Sequence, residues 1–177
     1  MCGLAGHFAY GEDAPPTDPS ALERATDAMS SRGPDGSGVW RSGDGRIAFA
    51  HRRLAIIDLG ASGAQPMATV DGRYVVVQNG EIYNFRALRR ELEAEGRIFV
   101  SQSDTEVLLH LYERDGEDMV ERLRGMYAFA IWDGERRGLF LARDPYGIKP
   151  MYYAHDGRNI RFASQVKGLL ASGGIDT

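Results

Sequence analysis

With 177 residues, 43% of them hydrophobic, the chain has the size of one domain and enough apolar side chains for a sizeable core. Its 25 acidic residues outnumber 21 basic ones for a formal net charge of -4, and Lys and Arg are scattered, which argues against a nucleic-acid partner. No apolar run approaches the roughly 18–20 residues that span a bilayer, and the start lacks a basic region and an apolar signal core, so a cytoplasmic protein without membrane association is expected. The single cysteine, Cys2, cannot form an internal disulfide, and its thiol is free to react or to be buried.

In chain order, the glycine-rich, apolar opening through Tyr10 reads as a buried strand approached closely by other backbone. A loop over residues 11–19 precedes Ser20 and Glu23, spaced as a capping box for a helix with Leu22, Ala25 and Met29 on one face. Turn formers at Arg32-Gly33-Pro34-Asp35-Gly36 follow it. Residues 47–57 read as a strand and 58–66 as a loop. Residues 74–78 are a β-branched run leading straight into Asn79-Gly80-Glu81, where Asn-Gly by itself reads as a hairpin turn. Asn84 then caps a helix carrying Leu88 and Leu92 and closed by Gly96. Phe99 and Val100 make a short strand, and Ser103 with Glu106 forms a second capping box for a helix bearing Val107, Leu108 and Leu111. Two hairpins close the chain, 126–132 with 138–142 around Asp133-Gly134, and 151–155 with 160–163 around Asp156-Gly157. Helices interleaved with hairpins indicate α+β layers rather than a regular βαβ series.

Position gives Cys2 two readings. A small second residue permits removal of Met1, which leaves a terminal α-amine of pKa about 7.7–8.0 able to act as base toward the adjacent thiol. The plainer reading is a small apolar residue in a strand. His7 and His51 stand in apolar strand contexts with no second ligand at a metal-type spacing, so no metal site is expected.

Met1-Cys2-Gly3-Leu4-Ala5-Gly6 resembles the opening of class II glutamine amidotransferases. Further blocks follow in register: Arg32-Gly33-Pro34-Asp35, Arg53-Leu54-Ala55-Ile56-Ile57-Asp58, Gln65-Pro66-Met67, Asn79-Gly80-Glu81-Ile82-Tyr83-Asn84, Ser103-Asp104-Thr105-Glu106 and Arg143-Asp144-Pro145-Tyr146-Gly147-Ile148-Lys149-Pro150. Together they resemble the glutaminase half of the bacterial B-type asparagine synthetase family over nearly the whole chain. The resemblance implies an N-terminal-nucleophile hydrolase fold, with two antiparallel sheets stacked face to face between helix layers, and one glutaminase domain over residues 1–177. It implies Cys2 as nucleophile on the δ-carbonyl of L-glutamine, passing through a thioester with release of ammonia. Asn79 and Gly80 match the oxyanion donors. Arg53 matches the grip on the substrate carboxylate and Asp104 the acceptor of its ammonium, with Leu54, Ile56 and Glu81 lining the same pocket. Without the resemblance, Arg53 is a strand-edge charge and Asp104 a helix N-terminal charge.

No cofactor is implied for this reaction; ATP and Mg belong to a C-terminal synthetase domain, expected to be absent here and to act as partner in cis or in trans. Ser31, Gln102 and Gln165 depart from the family's usual His, Gly and Glu, which touches the pocket rim and the partner contact rather than the reaction class. An N-terminal-cysteine acylase, or a glutamine-binding domain without turnover, are the rival readings. The tail Ser172-Gly173-Gly174-Ile175-Asp176-Thr177 resembles a pyrophosphate loop but follows a helix over residues 164–170, so it reads as helix termination and not as a phosphate site.

Overall fold

The computed structural model describes residues 2–175. The strands are β1 (Gly3–Ala9), β2 (Gly36–Arg41), β3 (Ile47–Arg53), β4 (Met67–Ala68), β5 (Tyr74–Ile82), β6 (Gly125–Asp133), β7 (Gly138–Arg143), β8 (Tyr152–His155) and β9 (Asn159–Ala163). The helices are α1 (Pro19–Ala28), α2 (Phe85–Ala94), α3 (Asp104–Asp115) and α4 (Val166–Ala171). Two compact units result, one formed by the chain up to Leu54 and again from Pro150 onward, the other by Ala55–Lys149.

The first unit is an antiparallel sheet in the order β2-β3-β1-β9-β8. The small apolar residues of β1 let it sit at the centre, paired with β3 on one side (Gly3↔Arg52, Gly6↔Phe49) and with β9 on the other. Ala5, Ala48, Ala50 and Ala163 bury one face of that sheet against Leu22, Ala25 and Met29 of the α1 segment and Leu169 of α4. Small strand residues let the helices approach closely, and burial of the larger helix side chains supplies about 1.5–3 kcal/mol each.

The second unit is the antiparallel sheet β4-β5-β6-β7. Val76, Phe129 and Ile131 of that sheet pack with Leu88 and Leu92 of α2 and with Val107, Leu108 and Leu111 of α3. Tyr112 of α3 crosses the Tyr74 ring edge-on at 5.6 Å. The apolar positions expected on both helices are thus those that face the sheet.

Several local expectations are corrected. Asp18, not Ser20, caps α1: its carboxylate accepts the Ser20 N–H at 2.9 Å while Pro19 takes the first turn, where a missing N–H costs nothing. The strand expected to reach residue 57 ends at Arg53, and β2 was hidden by its glycines, Gly36 and Gly38, at an edge position. Asn79-Gly80 is no turn, since β5 continues through it and pairs with Ala128 and Tyr127. Phe99 and Val100 form no strand; the N–H groups of Val100 and Ser101 each donate to the Glu106 carboxylate at 2.8 Å. That use of Glu106 replaces the expected box: Ser103 still caps α3 by accepting the Thr105 N–H, but Glu106 reaches the preceding loop instead of the cap.

Candidate active site

In the first unit, β1 and β3 set the positions of Cys2, Arg53 and Leu54. Cys2, half-buried, directly precedes β1, and the pairing of Gly3 with Arg52 brings it beside the end of β3. The Leu54 N–H donates to its Sγ at 3.4 Å, and the sulfur lies 3.7 Å from the Leu54 carbonyl oxygen. Arg53 is half-buried at the last position of β3, and its carbonyl accepts the Asp35 N–H at 3.0 Å. The Arg-Gly-Pro-Asp block is therefore fixed against the end of the strand that carries Arg53 and leads into Leu54.

In the second unit, β5 carries Asn79, Gly80 and Glu81. The Asn79 side chain is fully buried, and neither its Oδ1 nor its Nδ2 has a hydrogen-bond partner among the described residues. Gly80 has φ +146°, and a Cβ there would stand 2.1 Å from the Met126 carbonyl oxygen and 2.6 Å from the Tyr127 Cα. Only glycine fits, because both the dihedral and the neighbouring strand exclude a side chain.

Asp104, at the first turn of α3, is 6% exposed. Its Oδ2 accepts the Ile82 N–H at 2.8 Å and the Gln78 Nε2–H at 3.2 Å. Burial, reinforced by the Glu81 charge, pushes its carboxyl above the usual range against the pull of these two donors. Glu81 is half-buried, whereas Ile56 is 67% exposed. The geometry so places Cys2, Arg53 and Leu54 in one unit, and Ile56, Asn79, Gly80, Glu81 and Asp104 in the other.

Sequence reasoning did not single out Gln78, whose amide bonds to Asp104. Its signal was a polar residue closing an apolar strand run, at a position 2% exposed. Gln65 also ties these elements: its Oε1 accepts the Gln78 N–H at 2.6 Å and its Nε2 donates to Thr105 Oγ1 at 3.1 Å.

The remaining marked residues lie apart from these groups in role. Ser31 sits exposed in a short 3-10 turn, and Gln102 is exposed. Gln165 precedes α4 and makes no side-chain cap bond, its Oε1 being buried without a partner among the described residues. His7 bonds to Asn159 Oδ1 at 3.1 Å, and burial pulls its pKa below the usual imidazole value. His51 is fully buried within β3. Gly173 and Gly174 take left-handed φ values of 74° and 65° directly after α4, as helix termination requires; Asp176 and Thr177 of that tail lie outside the described residues. Among the described residues no cluster of three His, Cys, Asp or Glu side chains could hold a metal. Among the described residues no helix is long and apolar enough to cross a membrane.

Residues 1–177 match the glutamine amidotransferase domain family. Asparagine synthetase [glutamine-hydrolyzing] 3 of Bacillus subtilis is 44% identical over 173 residues, covering 97% of this chain and 28% of the relative. Asparagine synthetase [glutamine-hydrolyzing] 1 of the same organism is 43% identical over 97% of this chain and 27% of the relative. The chain thus spans between a quarter and a third of the length of these relatives.

Among solved structures, the glutamine phosphoribosylpyrophosphate amidotransferase of B. subtilis superposes with a TM-score of 0.81 at 24% identity, over 97% of this chain and 44% of that one. A second, described as the allosteric regulatory enzyme of purine biosynthesis, gives a TM-score of 0.78 at 26% identity, over 97% of this chain and 43% of that one. The α+β, N-terminal-nucleophile hydrolase fold that the motifs imply is the fold found. By its motifs, its fold and this match over residues 1–177, the chain belongs to the glutamine amidotransferase domain family, a family of enzymes.

Proposed function

We propose that residues 1–177 act as one glutaminase domain, hydrolysing the side-chain amide of L-glutamine and delivering the ammonia to an ATP-dependent synthetase domain of the asparagine-synthetase kind, in cis or in trans. The Cys2 sulfur adds to the δ-carbonyl, its proton passing to the α-amine freed by removal of Met1. The resulting oxyanion accepts hydrogen bonds from the Asn79 Nδ2–H and the Gly80 N–H. Collapse of the adduct breaks the C–N bond, the α-ammonium returns the proton to the departing nitrogen, and ammonia leaves a thioester. Water then adds to the thioester, its proton taken by the same amine, and glutamate departs as the sulfur regains its proton. Arg53 holds the substrate carboxylate and Asp104 its ammonium, with Leu54, Ile56 and Glu81 along the pocket. This reaction uses no cofactor, ATP and Mg serving the synthetase step, and its setting is the cytoplasm.

The observation that carries this reading is the Asn79 side chain, fully buried with both polar atoms unpartnered. Leaving such a group unsatisfied costs about 1–3 kcal/mol, a penalty that a site accepts when the donor must stand ready for charge that develops only during reaction. The test is ammonia release from glutamine, asparagine and an acylated amide, by wild type and Asn79→Leu. Glutamine is expected to be preferred, since a side chain one methylene shorter misplaces the reacting carbon, and about 1 Å of misplacement costs on the order of 10²-fold. Asn79→Leu is expected to lower kcat about 10²–10³-fold while leaving the folded state as stable as wild type or more so. Wild-type kcat in Asn79→Leu contradicts the oxyanion role, and equal kcat/KM for all three amides contradicts the amino-acid clamps.

A further inference from the structure

We propose that Gln78 is a positioning residue for substrate recognition: its amide holds the Oδ2 edge of the Asp104 carboxylate, leaving Oδ1 for the ammonium group of the amino-acid substrate. The inference rests on the clamp role proposed for Asp104, and every group that carries it lies in the Ala55–Lys149 unit.

Both hydrogen bonds that Asp104 takes from other residues fall on one oxygen. The Ile82 N–H and the Gln78 Nε2–H converge on Oδ2 at 2.8 and 3.2 Å. A carboxylate accepts on both oxygens, so two donors on one edge fix the plane and leave the other edge able to accept. Gln78 is in turn held by its backbone, since its N–H donates to Gln65 Oε1 at 2.6 Å. The other end of the Gln65 amide bonds to Thr105, the residue after Asp104, at 3.1 Å. One side chain thereby ties the strand at Gln78 to the first turn of α3, and the Gln78–Asp104 distance is set from both sides.

The Gln78 amide also acts on the charge of Asp104. Burial disfavours the carboxylate, and Glu81 on β5 is the charged group that raises its pKa further. On α3 itself, Glu106 stands two residues on, within the same first turn, and is engaged with Val100, Ser101 and His110. Against these stand the Ile82 and Gln78 donors, which favour the charged form. Only proline would remove the Ile82 backbone donor, and it would disrupt β5, so Gln78 is the adjustable member of the pair. An apolar residue of the same length at position 78 leaves the carboxylate with one donor and a free rotation about Cβ–Cγ.

The experiment is the pH profile of kcat/KM for ammonia release from glutamine by protein with a free Cys2 terminus, in wild type, Gln78→Met, Gln78→Glu and Asp104→Asn. Asp104→Asn is expected to lower kcat/KM throughout. Gln78→Met is expected to raise KM about 10-fold with kcat nearly unchanged, and to move the acid limb upward by roughly one pH unit, because the group that must be ionised has lost a donor. Gln78→Glu, of the same shape, places two carboxylates on one site that share a proton. Its activity is expected to be retained on the acid side and to fall as that proton is lost with rising pH. A structural loss alone lowers activity without moving either limb. Wild-type limbs in both Gln78 variants, alongside an impaired Asp104→Asn, overturn the role of Gln78 and leave the clamp intact. Wild-type kcat/KM in Asp104→Asn removes the clamp, and this inference with it.

Discussion

The backbone N–H of Leu54 points at the Sγ of Cys2 across 3.4 Å, placing a donor on the only thiol of the chain at the point where β3 has just ended. The Leu54 carbonyl oxygen lies 3.7 Å from the same sulfur as an acceptor for the thiol hydrogen, so both backbone groups of Leu54 fix where the sulfur stands. The strand pairing that produces this contact joins segments distant in sequence, with Gly3 opposite Arg52, so the thiol is held beside the end of β3. Iodoacetamide is expected to modify one thiol per chain, with ammonia release falling in proportion, as followed by intact mass and a coupled glutamate assay. Full alkylation with undiminished ammonia release contradicts a nucleophilic Cys2.

Gly80→Ala tests whether the close approach of β6 to β5 is as tight as the geometry states. The new methyl group meets the Met126 carbonyl oxygen at 2.1 Å and requires φ +146° of a residue that avoids it. Backbone strain and overpacking together are expected to cost roughly 2–5 kcal/mol, read as a lowered denaturation midpoint in urea. Unchanged stability shows that β5 and β6 separate readily at this point.

Glu106 gives the second unit a dependence on acid. Burial pushes its carboxyl up, but His110, the Ser101 hydroxyl and the Val100 and Ser101 N–H groups outweigh that and hold it at about 2, below its ordinary 4.5. A carboxyl depressed in the folded state contributes stability that is fully present above the unfolded value and is lost as pH falls toward 2. Glu106→Gln is therefore expected to lower stability at pH 7 by roughly 3 kcal/mol, and the difference from wild type to shrink through the window from pH 4.5 to 2. Thermal melts of both proteins across that window check it; a difference independent of pH contradicts an ionised Glu106.

The sequence made the fold class and the helix faces legible because their signals are periodic: Leu88 with Leu92, and Val107, Leu108 and Leu111, face the core as spaced. Hairpins marked by Asp-Gly were readable for the same reason, since the turn residue and the flanking strands agree. Asn79-Gly80 misled because the same pair that makes a tight turn also serves a strand in which glycine lets a neighbour approach. Asp18 was overlooked in favour of a better-known spacing, although Asp-Pro is itself a strong helix start. Phe99 and Val100 read as a strand and Glu106 as a cap partner because the loop donors that Glu106 satisfies lie before the cap in sequence and beside it only in space. Gln78 and Gln65 were invisible as a pair for the same reason: 13 residues separate them and only folding brings their amides together.

Cys2, with its own α-amine free, is the residue expected to cleave the amide of glutamine. Intact mass and ammonia release are to be measured together on protein ending in a free Cys2, on protein carrying an uncleavable extension before it, and on Cys2→Ala. Activity is expected only in the first, the other two falling by at least about 10²–10⁴-fold, the contribution of a general base and more for the nucleophile itself. Full glutamine hydrolysis by the extended protein or by Cys2→Ala contradicts the account and assigns the chemistry to another residue.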